Sequence, residues 1–143
     1  MPSDPSCIFC KIIAGQIPCY KVYEDDAVLA FLDIGPLVNG HTLVIPKDHV
    51  ATVMQAQPDH LAAIMQRLPK ISQAVLAATG AKACNILINN GSDAQQSVHH
   101  LHIHILPRQP GAAAGQFHIP WNPTKLDQPT AITLAQKIAT NIK

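Results

Sequence analysis

A histidine-rich segment that begins at position 99 of the 143-residue chain carries the residues whose types and spacing could do chemistry. From position 100 onward, histidine and aliphatic residues alternate: His100, Leu101, His102, Ile103, His104 and Ile105. Because successive side chains of a strand point to opposite faces, this pattern predicts a strand with three imidazoles on one face and three aliphatic side chains on the other. Pro107 lacks a backbone donor and is predicted to end the strand.

The imidazoles could serve as nucleophile, base or hydrogen-bond donor, depending on which ring nitrogen carries the proton. Such a row suits phosphoryl or nucleotidyl transfer, in which donors must meet negative charge. Along a strand, His100 and His104 are roughly 13 Å apart, so all three rings cannot ligate one metal ion. At most two neighbours could share an ion. The plain alternative is that these are ordinary core or surface residues among the eight histidines of the chain.

A second set of chemically active residues lies near the N-terminus. Cys7 and Cys10 form a CxxC motif that is a redox pair, half of a zinc site, or a coincidence. Neither a preceding strand nor a βαβ pattern is apparent, which disfavours a thioredoxin-like role. A zinc site would need two more ligands from elsewhere in the chain. His49, which follows a predicted strand, reads as a surface histidine or as one such ligand.

The elements that must position these residues can be predicted from periodicity and turn signals. Strands are expected at 20–24, 28–33, 41–46 and 83–89, before the histidine strand. A helix is predicted over Pro58–Thr79, with Met65 in its core stripe, and Pro69 is expected to kink or split it. Residues 109–128 should be irregular, with the single tryptophan, Trp121, among them, and a last helix is expected from Thr130 to Ile142.

Composition limits the class of protein. A chain of 143 residues with 48% hydrophobic and 13% charged residues suits a single compact domain, with a core region over 1–108 and a tail over 109–143. The net charge of +1 offers no field for nucleic acid or an anionic membrane surface. We read no signal peptide or long apolar span, so a cytoplasmic protein with four reduced cysteines is expected.

Polar residues before the histidine strand could bind phosphate. The turn from Asn89 to Asp93 and the polar run from Gln95 to Ser97 offer short side chains and free backbone amides there. Asp33, directly after an apolar strand, is either a turn residue or an acceptor for ribose hydroxyls. The chain contains neither a P-loop nor a GxGxxG motif, so phosphate binding through those devices is excluded.

The segment from His100 to Leu106 resembles the signature of the histidine triad superfamily of nucleotide hydrolases and transferases, in particular its nucleotide-binding branch. The resemblance extends from Cys7 to Arg108. It implies an α+β fold with an antiparallel sheet of about five strands, flanking helices, and a homodimer that continues the sheet. It also implies hydrolysis of a purine nucleoside phosphoramidate or phosphoanhydride at the α-phosphorus.

The same resemblance implies roles for single residues. His102 would attack the α-phosphorus and form a covalent histidyl-nucleotide, which water then cleaves. His104 would hold phosphate oxygens and help to protonate the leaving group, while Ser97 and Gln96 would donate to the phosphate. Further pocket residues are implied at Asp33, Ile34, His41, Asn89 and Gln95.

A subset of the superfamily carries a structural zinc ion, and the resemblance implies the same here. The implied ligands are Cys7, Cys10, His49 and His100. Two thiolates and two imidazoles make a closed tetrahedral set without a catalytic opening. In this arrangement His100 would belong to the metal, and the other two triad histidines would remain for catalysis.

Two features depart from the family pattern, and several functions stay open. His99 stands where relatives often have an aromatic residue, proline or lysine, and by alternation it points away from the triad face. The tail of 35 residues after Arg108 is longer than in the short phosphoramidase branch. The alternatives are a dinucleoside polyphosphate hydrolase of the same family, a zinc-dependent hydrolase using two strand histidines, and a non-catalytic nucleotide-binding module.

Overall fold

The computed structural model describes residues 2–111, 119–120 and 122–142. The helices and strands follow the chain as α1 (Ile8–Ile13), β1 (Lys21–Glu24), β2 (Val28–Leu32), β3 (Thr42–Pro46), α2 (Pro58–Thr79), β4 (Ala83–Leu87), β5 (Ile103–Arg108) and α3 (Gln128–Thr140). The strands form one sheet in the order β1-β2-β3-β5-β4, and every neighbouring pair is antiparallel. The predicted α+β fold with a five-stranded antiparallel sheet is confirmed.

The two faces of this sheet pack against different parts of the chain. On one face, alternate residues of β2, β3 and β5 form a core with α2 that includes Val44, Ile103 and Ile105. On the other face, Leu29 and Phe31 pack with α1. The strand β2 is therefore covered on both sides, as its unbroken apolar run predicts. The predicted inward face of the histidine segment is also confirmed, since Leu101, Ile103 and Ile105 are fully buried.

The helix α2 differs from its prediction in two respects. It is one continuous element across Pro69, which lies on its exposed side, so the expected split is absent. The missing hydrogen bond of a proline is least costly where water can reach the freed carbonyl. The expectation that Met65 belongs to the core is wrong, because its side chain is 47% exposed. The buried stripe runs through Ile64, Ile71 and Val75, and Met65 is rotated away from it.

The strand β5 also has different bounds from those predicted. It begins at Ile103, so His100 lies in a bend before the strand rather than within it. It continues through Pro107, which was expected to end it. Pairing with β3 stops at Ile105, and beyond that point only β4 lies beside the strand. A proline is tolerated there because one side of the backbone has no partner strand.

The C-terminal helix α3 begins two residues before its predicted start and ends at Thr140. Asp127 caps it by accepting a hydrogen bond from the backbone N–H of Thr130. Nearly all of its side chains are exposed. Trp121 and residues 112–118 of the predicted irregular segment lie outside the described residues. Within the part of the chain that the structure describes, no helix is both long and apolar enough to cross a membrane.

Candidate active site and metal site

The ring of His102 is fixed by the backbone of the residue two positions before it. Its Nδ1 lies 2.6 Å from the carbonyl oxygen of His100, and because a carbonyl can only accept, Nδ1 carries the proton. Nε2 of the neutral ring then bears a lone pair. Nε2 makes no hydrogen bond with the described residues, and the ring lines a cavity on the α1 side of the sheet. This is the tautomer of a nucleophilic imidazole.

His104 follows on the same face and touches a histidine of the neighbouring strand. Its ring centroid is 4.8 Å from that of His102, and its Nδ1 lies 2.8 Å from Nε2 of His41. The Nε2 atom of His104 is buried and has no hydrogen-bond partner in the part of the chain that is described. A buried polar atom without a partner is rare, and the residue that carries this one lines the cavity. This atom is therefore available to a ligand.

Burial keeps these rings uncharged. It lowers the pKa of His104 to about 4, with the neighbouring His102 and His41 adding to the effect. Burial likewise lowers the pKa of His102 and of His41, against the opposing charge of Asp33. Near neutral pH all three rings are neutral, so each has one donor and one acceptor nitrogen.

The cavity beside these rings has a volume of about 250 Å³ and is mostly apolar. Its polar lining comes from Cys19, Asp33, Ser97, His102 and His104. Its apolar lining comes from α1, the segment after it, and the sheet: Ile8, Phe9, Ile12, Ile17, Pro18, Phe31, Leu32, Ile34, Leu43 and Val98. An apolar pocket with a few convergent polar groups at one end is the usual form of a small-molecule site.

Besides His104, three of the residues that sequence reasoning assigned to phosphate or sugar binding line this cavity. Ser97 is exposed at its edge, and Ile34 is 86% exposed at its mouth. One carboxylate oxygen of Asp33 accepts a hydrogen bond from the backbone N–H of Gly35 at 2.8 Å. The other lies 3.6 Å from Nε2 of His41. Asp33 is thus both a turn residue and a pocket residue.

The side chain of Gln96 makes two hydrogen bonds, one within the loop before β5 and one to the rest of the chain. Its amide oxygen accepts from the N–H of Gly91 at 2.8 Å, and its amide nitrogen donates to the carbonyl of Ala51 at 2.7 Å. Phosphate binding by this side chain stays a prediction, for which the amide nitrogen has one N–H besides the one donated to Ala51. Gln95 has a positive φ of 66°, which is rare outside glycine and indicates a strained turn. The sequence gives no signal for that strain.

The other predicted residues lie outside the cavity lining. Asn89 is half-buried and His99 is exposed. The exposure of His99 agrees with the interpretation that it points away from the triad. His41 does not line the cavity but contacts it through His104.

The four predicted metal ligands come together at the other end of the histidine segment. The ligand atoms of Cys7, Cys10, His49 and His100 all lie within 4.8 Å of one another. Nδ1 of His100 is 3.5 Å from Sγ of Cys7 and 3.6 Å from Sγ of Cys10. Nδ1 of His49 is 3.4 Å from Sγ of Cys10. Zinc bonds of about 2.3 Å to sulfur and about 2.1 Å to nitrogen, at a tetrahedral angle, place such atoms about 3.6 Å apart.

The surroundings of this set also suit a metal ion. Nε2 of His100 donates to the carbonyl of Pro46 at 2.9 Å, which leaves the lone pair on Nδ1, toward the thiols. Burial lowers the pKa of His100 to about 4, so the ring is neutral. The carboxylate of Asp4 lies 3.9 Å from Nε2 of His49, the nitrogen that faces away from the cysteines. Soft thiols with oriented imidazoles therefore fit a tetrahedral metal site.

Sequence reasoning missed two groups of residues. The first is Asp4, whose position three residues before Cys7 gave no reason to pair it with His49. The second is the apolar wall formed by Ile8, Ile12 and Ile17. The spacing of four between Ile8 and Ile12 could have indicated a common helix face, distinct from that of the cysteines. The short helix α1 thus contributes to both sites.

Comparison with known proteins supports one family for the chain. Adenylylsulfatase HINT3 of Arabidopsis thaliana is 50% identical over 103 residues, which are 72% of this chain and 52% of the plant protein, so the match spans about half of that relative. Adenosine 5'-monophosphoramidase hnt1 of Schizosaccharomyces pombe is 39% identical over 141 residues, which cover 96% of this chain and 99% of the yeast protein.

Solved structures agree with these relatives. The crystal structure of SMU.412c from Streptococcus mutans superposes with a TM-score of 0.93 at 43% identity, covering 99% of this chain and 88% of that one. A Zn-bound histidine triad family protein from Mycobacterium smegmatis superposes with a TM-score of 0.73 at 34% identity, covering 95% and 98%. The family model described as the HIT domain matches residues 14–111. The chain therefore belongs to the HIT domain family.

Proposed function

We propose that this protein is a nucleotide hydrolase that cleaves a purine nucleoside phosphoramidate, or a related phosphoanhydride, at the α-phosphorus. The observation that carries the proposal is the hydrogen bond from Nδ1 of His102 to the carbonyl of His100, because it leaves the lone pair of Nε2 directed to a ligand cavity. The names of the two relatives, an adenylylsulfatase and an adenosine 5'-monophosphoramidase, support adenosine nucleotides as the substrate class.

In the first step, Nε2 of His102 attacks the phosphorus of the nucleotide. A bond forms between nitrogen and phosphorus, and the bond to the leaving group breaks. The leaving group keeps the electron pair and takes up a proton with the help of His104. The nucleotide is then attached to His102 until water attacks the same phosphorus and frees the ring. The low polarity around the ring favours a neutral nucleophile, since burial lowers the pKa of His102.

Two further groups are placed to act on the phosphate and the leaving group. Nε2 of His104 has no protein partner and lies next to the nucleophile, so we assign it to the phosphoryl oxygens. Ser97, at the edge of the same cavity, is assigned to the phosphate and the leaving-group side. Contacts of Asn89, Gln95 and Gln96 with substrate stay predictions.

The sugar and base would occupy the apolar part of the cavity. Asp33 has a carboxylate oxygen directed toward His41 and lies in the lining, where ribose hydroxyls could donate to it. Ile34 and the α1 residues Ile8 and Ile12 provide flat apolar contact for a base. A dinucleoside polyphosphate is the alternative substrate.

We also propose that Cys7, Cys10, His49 and His100 hold a structural zinc ion. The tetrahedral ligand distances and the Zn-bound relative support this metal. Zinc would join α1 and its preceding segment to the residue that precedes the catalytic rings. A homodimer, a single domain over 1–143 and a cytoplasmic location remain proposals. The four free cysteines support the reducing location.

The test of this function is capture of the covalent intermediate. The protein is mixed with an adenosine phosphoramidate, quenched in acid-free denaturant within one turnover, and examined by intact-mass spectrometry. We expect a mass increase of one nucleotide in the wild type and none in His102→Ala, with turnover lower by at least about 10⁴-fold. His99→Ala, which removes the exposed neighbouring histidine, is the matched control and should keep both the adduct and the turnover.

An unmodified wild type that still turns over substrate would contradict covalent catalysis. Binding of the nucleotide without turnover would identify a binding module instead. Full turnover by His102→Ala would move the chemistry to another residue.

A further inference from the structure

The loop between β2 and β3 makes a backbone contact with a buried histidine. The N–H of Leu37 lies 3.1 Å from Nδ1 of His41. An amide N–H can only donate, so Nδ1 of His41 must carry a lone pair. Burial lowers the pKa of His41, which keeps the ring neutral. The single ring proton of His41 is therefore on Nε2.

That proton is directed at the next ring. Nε2 of His41 lies 2.8 Å from Nδ1 of His104, and since Nε2 is the donor, Nδ1 of His104 is the acceptor. The neutral His104 ring must then carry its own proton on Nε2. This is the buried atom that has no hydrogen-bond partner among the described residues. A single backbone amide thus sets the proton positions of two rings in sequence.

Two competing arrangements can be compared with this one. The carboxylate of Asp33 is 3.6 Å from Nε2 of His41, farther than Nδ1 of His104, and its other oxygen is bonded to the N–H of Gly35. Asp33, His41 and His104 also form a cluster close enough to hold a metal ion. A metal on Nε2 of His41 would move the proton to Nδ1, where it would face the N–H of Leu37. The backbone contact therefore opposes a metal at this place.

We propose that His41 is a positioning residue that holds His104 in the Nε2–H tautomer, so that His104 presents a hydrogen-bond donor to the phosphoryl group. No proton is transferred in this role. The proposal rests on the proposed function for its catalytic consequence, whereas the tautomers themselves can be measured without substrate. The result is a pair of adjacent rings with opposite tautomers, in which His102 offers a lone pair and His104 offers an N–H.

The first measurement reads the tautomers of the free protein. Protein labelled with ¹⁵N-histidine is analysed by long-range ¹H–¹⁵N correlation near neutral pH, with ring signals assigned from single variants. We expect the Nε2–H form for His41 and His104 and the Nδ1–H form for His102. A wild-type His104 ring in the Nδ1–H form would overturn the proposal, whatever the outcome of the activity assays.

The second measurement uses two variants that separate the contacts of His41. In His41→Asn, the amide oxygen can replace Nδ1 and keep the contact with Leu37, but the side chain is too short to reach His104. In His41→Gln, the amide nitrogen can replace Nε2 and donate to His104. We expect His104 to become a mixture of tautomers in the Asn variant and to keep the Nε2–H form in the Gln variant.

The kinetic prediction follows the same order. Loss of a positioned donor to a developing charge costs about 10²- to 10³-fold in kcat, and a mixed tautomer loses part of that, so we expect His41→Asn to lose about tenfold or more. His41→Gln should recover most of this loss. An Asn variant with an unchanged His104 tautomer overturns the proposal. A changed tautomer with unchanged kcat would show that the donor does not serve the reaction.

Discussion

His100 and His102 are two residues apart, yet their rings use opposite nitrogens. Nε2–H of His100 donates a hydrogen bond to the carbonyl of Pro46, and Nδ1 faces the thiols of Cys7 and Cys10. Nδ1–H of His102 donates a hydrogen bond to the carbonyl of His100, which leaves the lone pair on Nε2 of a ring that lines the cavity. The first ring thereby has the lone pair that a metal ligand needs, and the second has the lone pair that the proposed nucleophile needs.

This difference shows that residue type alone does not assign a histidine its task. The carbonyl that each ring meets decides which lone pair remains, and both carbonyls are fixed by the fold. The two sites are still in contact. Phe9, between the cysteines of the CxxC motif, places its ring edge-on to both imidazoles, at centroid distances of 5.9 Å to His100 and 5.3 Å to His102. Phe9 therefore packs against both the proposed metal site and the proposed catalytic site.

The largest effect on stability is expected at the proposed metal site. Cys10→Ser should lose the metal and lower the free energy of unfolding by about 3 kcal/mol or more, because a ligand bound only to the folded state stabilises it. At saturating substrate the chemistry should change less. Metal content by elemental analysis and a denaturant titration check this, with Cys84→Ser as the control. A Cys10→Ser protein with the stability and the metal content of the parent would contradict this prediction.

A smaller effect on stability is expected at His104, in the proposed catalytic site, as the pH falls. Burial lowers the pKa of His104 from 6.5 to about 4, so between these values the unfolded state binds the proton more readily than the folded state. The contribution of His104 to the free energy of unfolding is therefore fully present above pH 6.5, and it is lost as the pH falls toward about 4. His104→Gln should therefore lose less stability on acidification than the wild type. Thermal unfolding at several pH values, with His99→Gln as the control, measures this, and equal slopes would contradict it.

The smallest effect is expected at the mouth of the cavity. Replacing Ile34 by alanine removes apolar area from the proposed base contact, worth about 1 kcal/mol, so KM should rise about fivefold while kcat stays near the parent value. Ile138→Ala on α3 removes the same group from a surface outside the cavity and should leave both constants unchanged. A lower kcat in Ile34→Ala would contradict this prediction and would show that the loop between β2 and β3 affects the chemical step.

Much of the fold could be predicted from the sequence because its signals are local. The run from Val28 to Leu32 is apolar without interruption, and the helix over Pro58–Thr79 has a proline at its start and a glycine at its end. The four residues that the resemblance implies as metal ligands lie together in the structure, with their ligand atoms within 4.8 Å of one another. The metal itself, and the roles of the catalytic residues, stay proposals.

The features that could not be predicted depend on which backbone groups meet in space. Nothing local marks the bend at His100, the continuation of β5 through Pro107 or the positive φ of Gln95. Each arises from a neighbour that is distant in sequence or from a turn whose geometry overrides its residue preference. The same holds for Leu37, whose backbone amide orients His41 from four residues away.

The use of the two sheet faces has a consequence for how this protein can change. One face buries aliphatic residues under α2, and the other carries the histidines, α1 and the cavity. Substitutions in the cavity wall leave the α2 layer untouched, because alternate residues of each strand belong to different layers. New substrate preferences can therefore evolve, or be engineered, at exposed wall residues such as Ile8 and Ile34 with little penalty in folding, provided that the register of β5 is kept. Substitutions at Phe9, Phe31 or Leu43 would cost stability, because these wall residues are buried in the core on the α1 side.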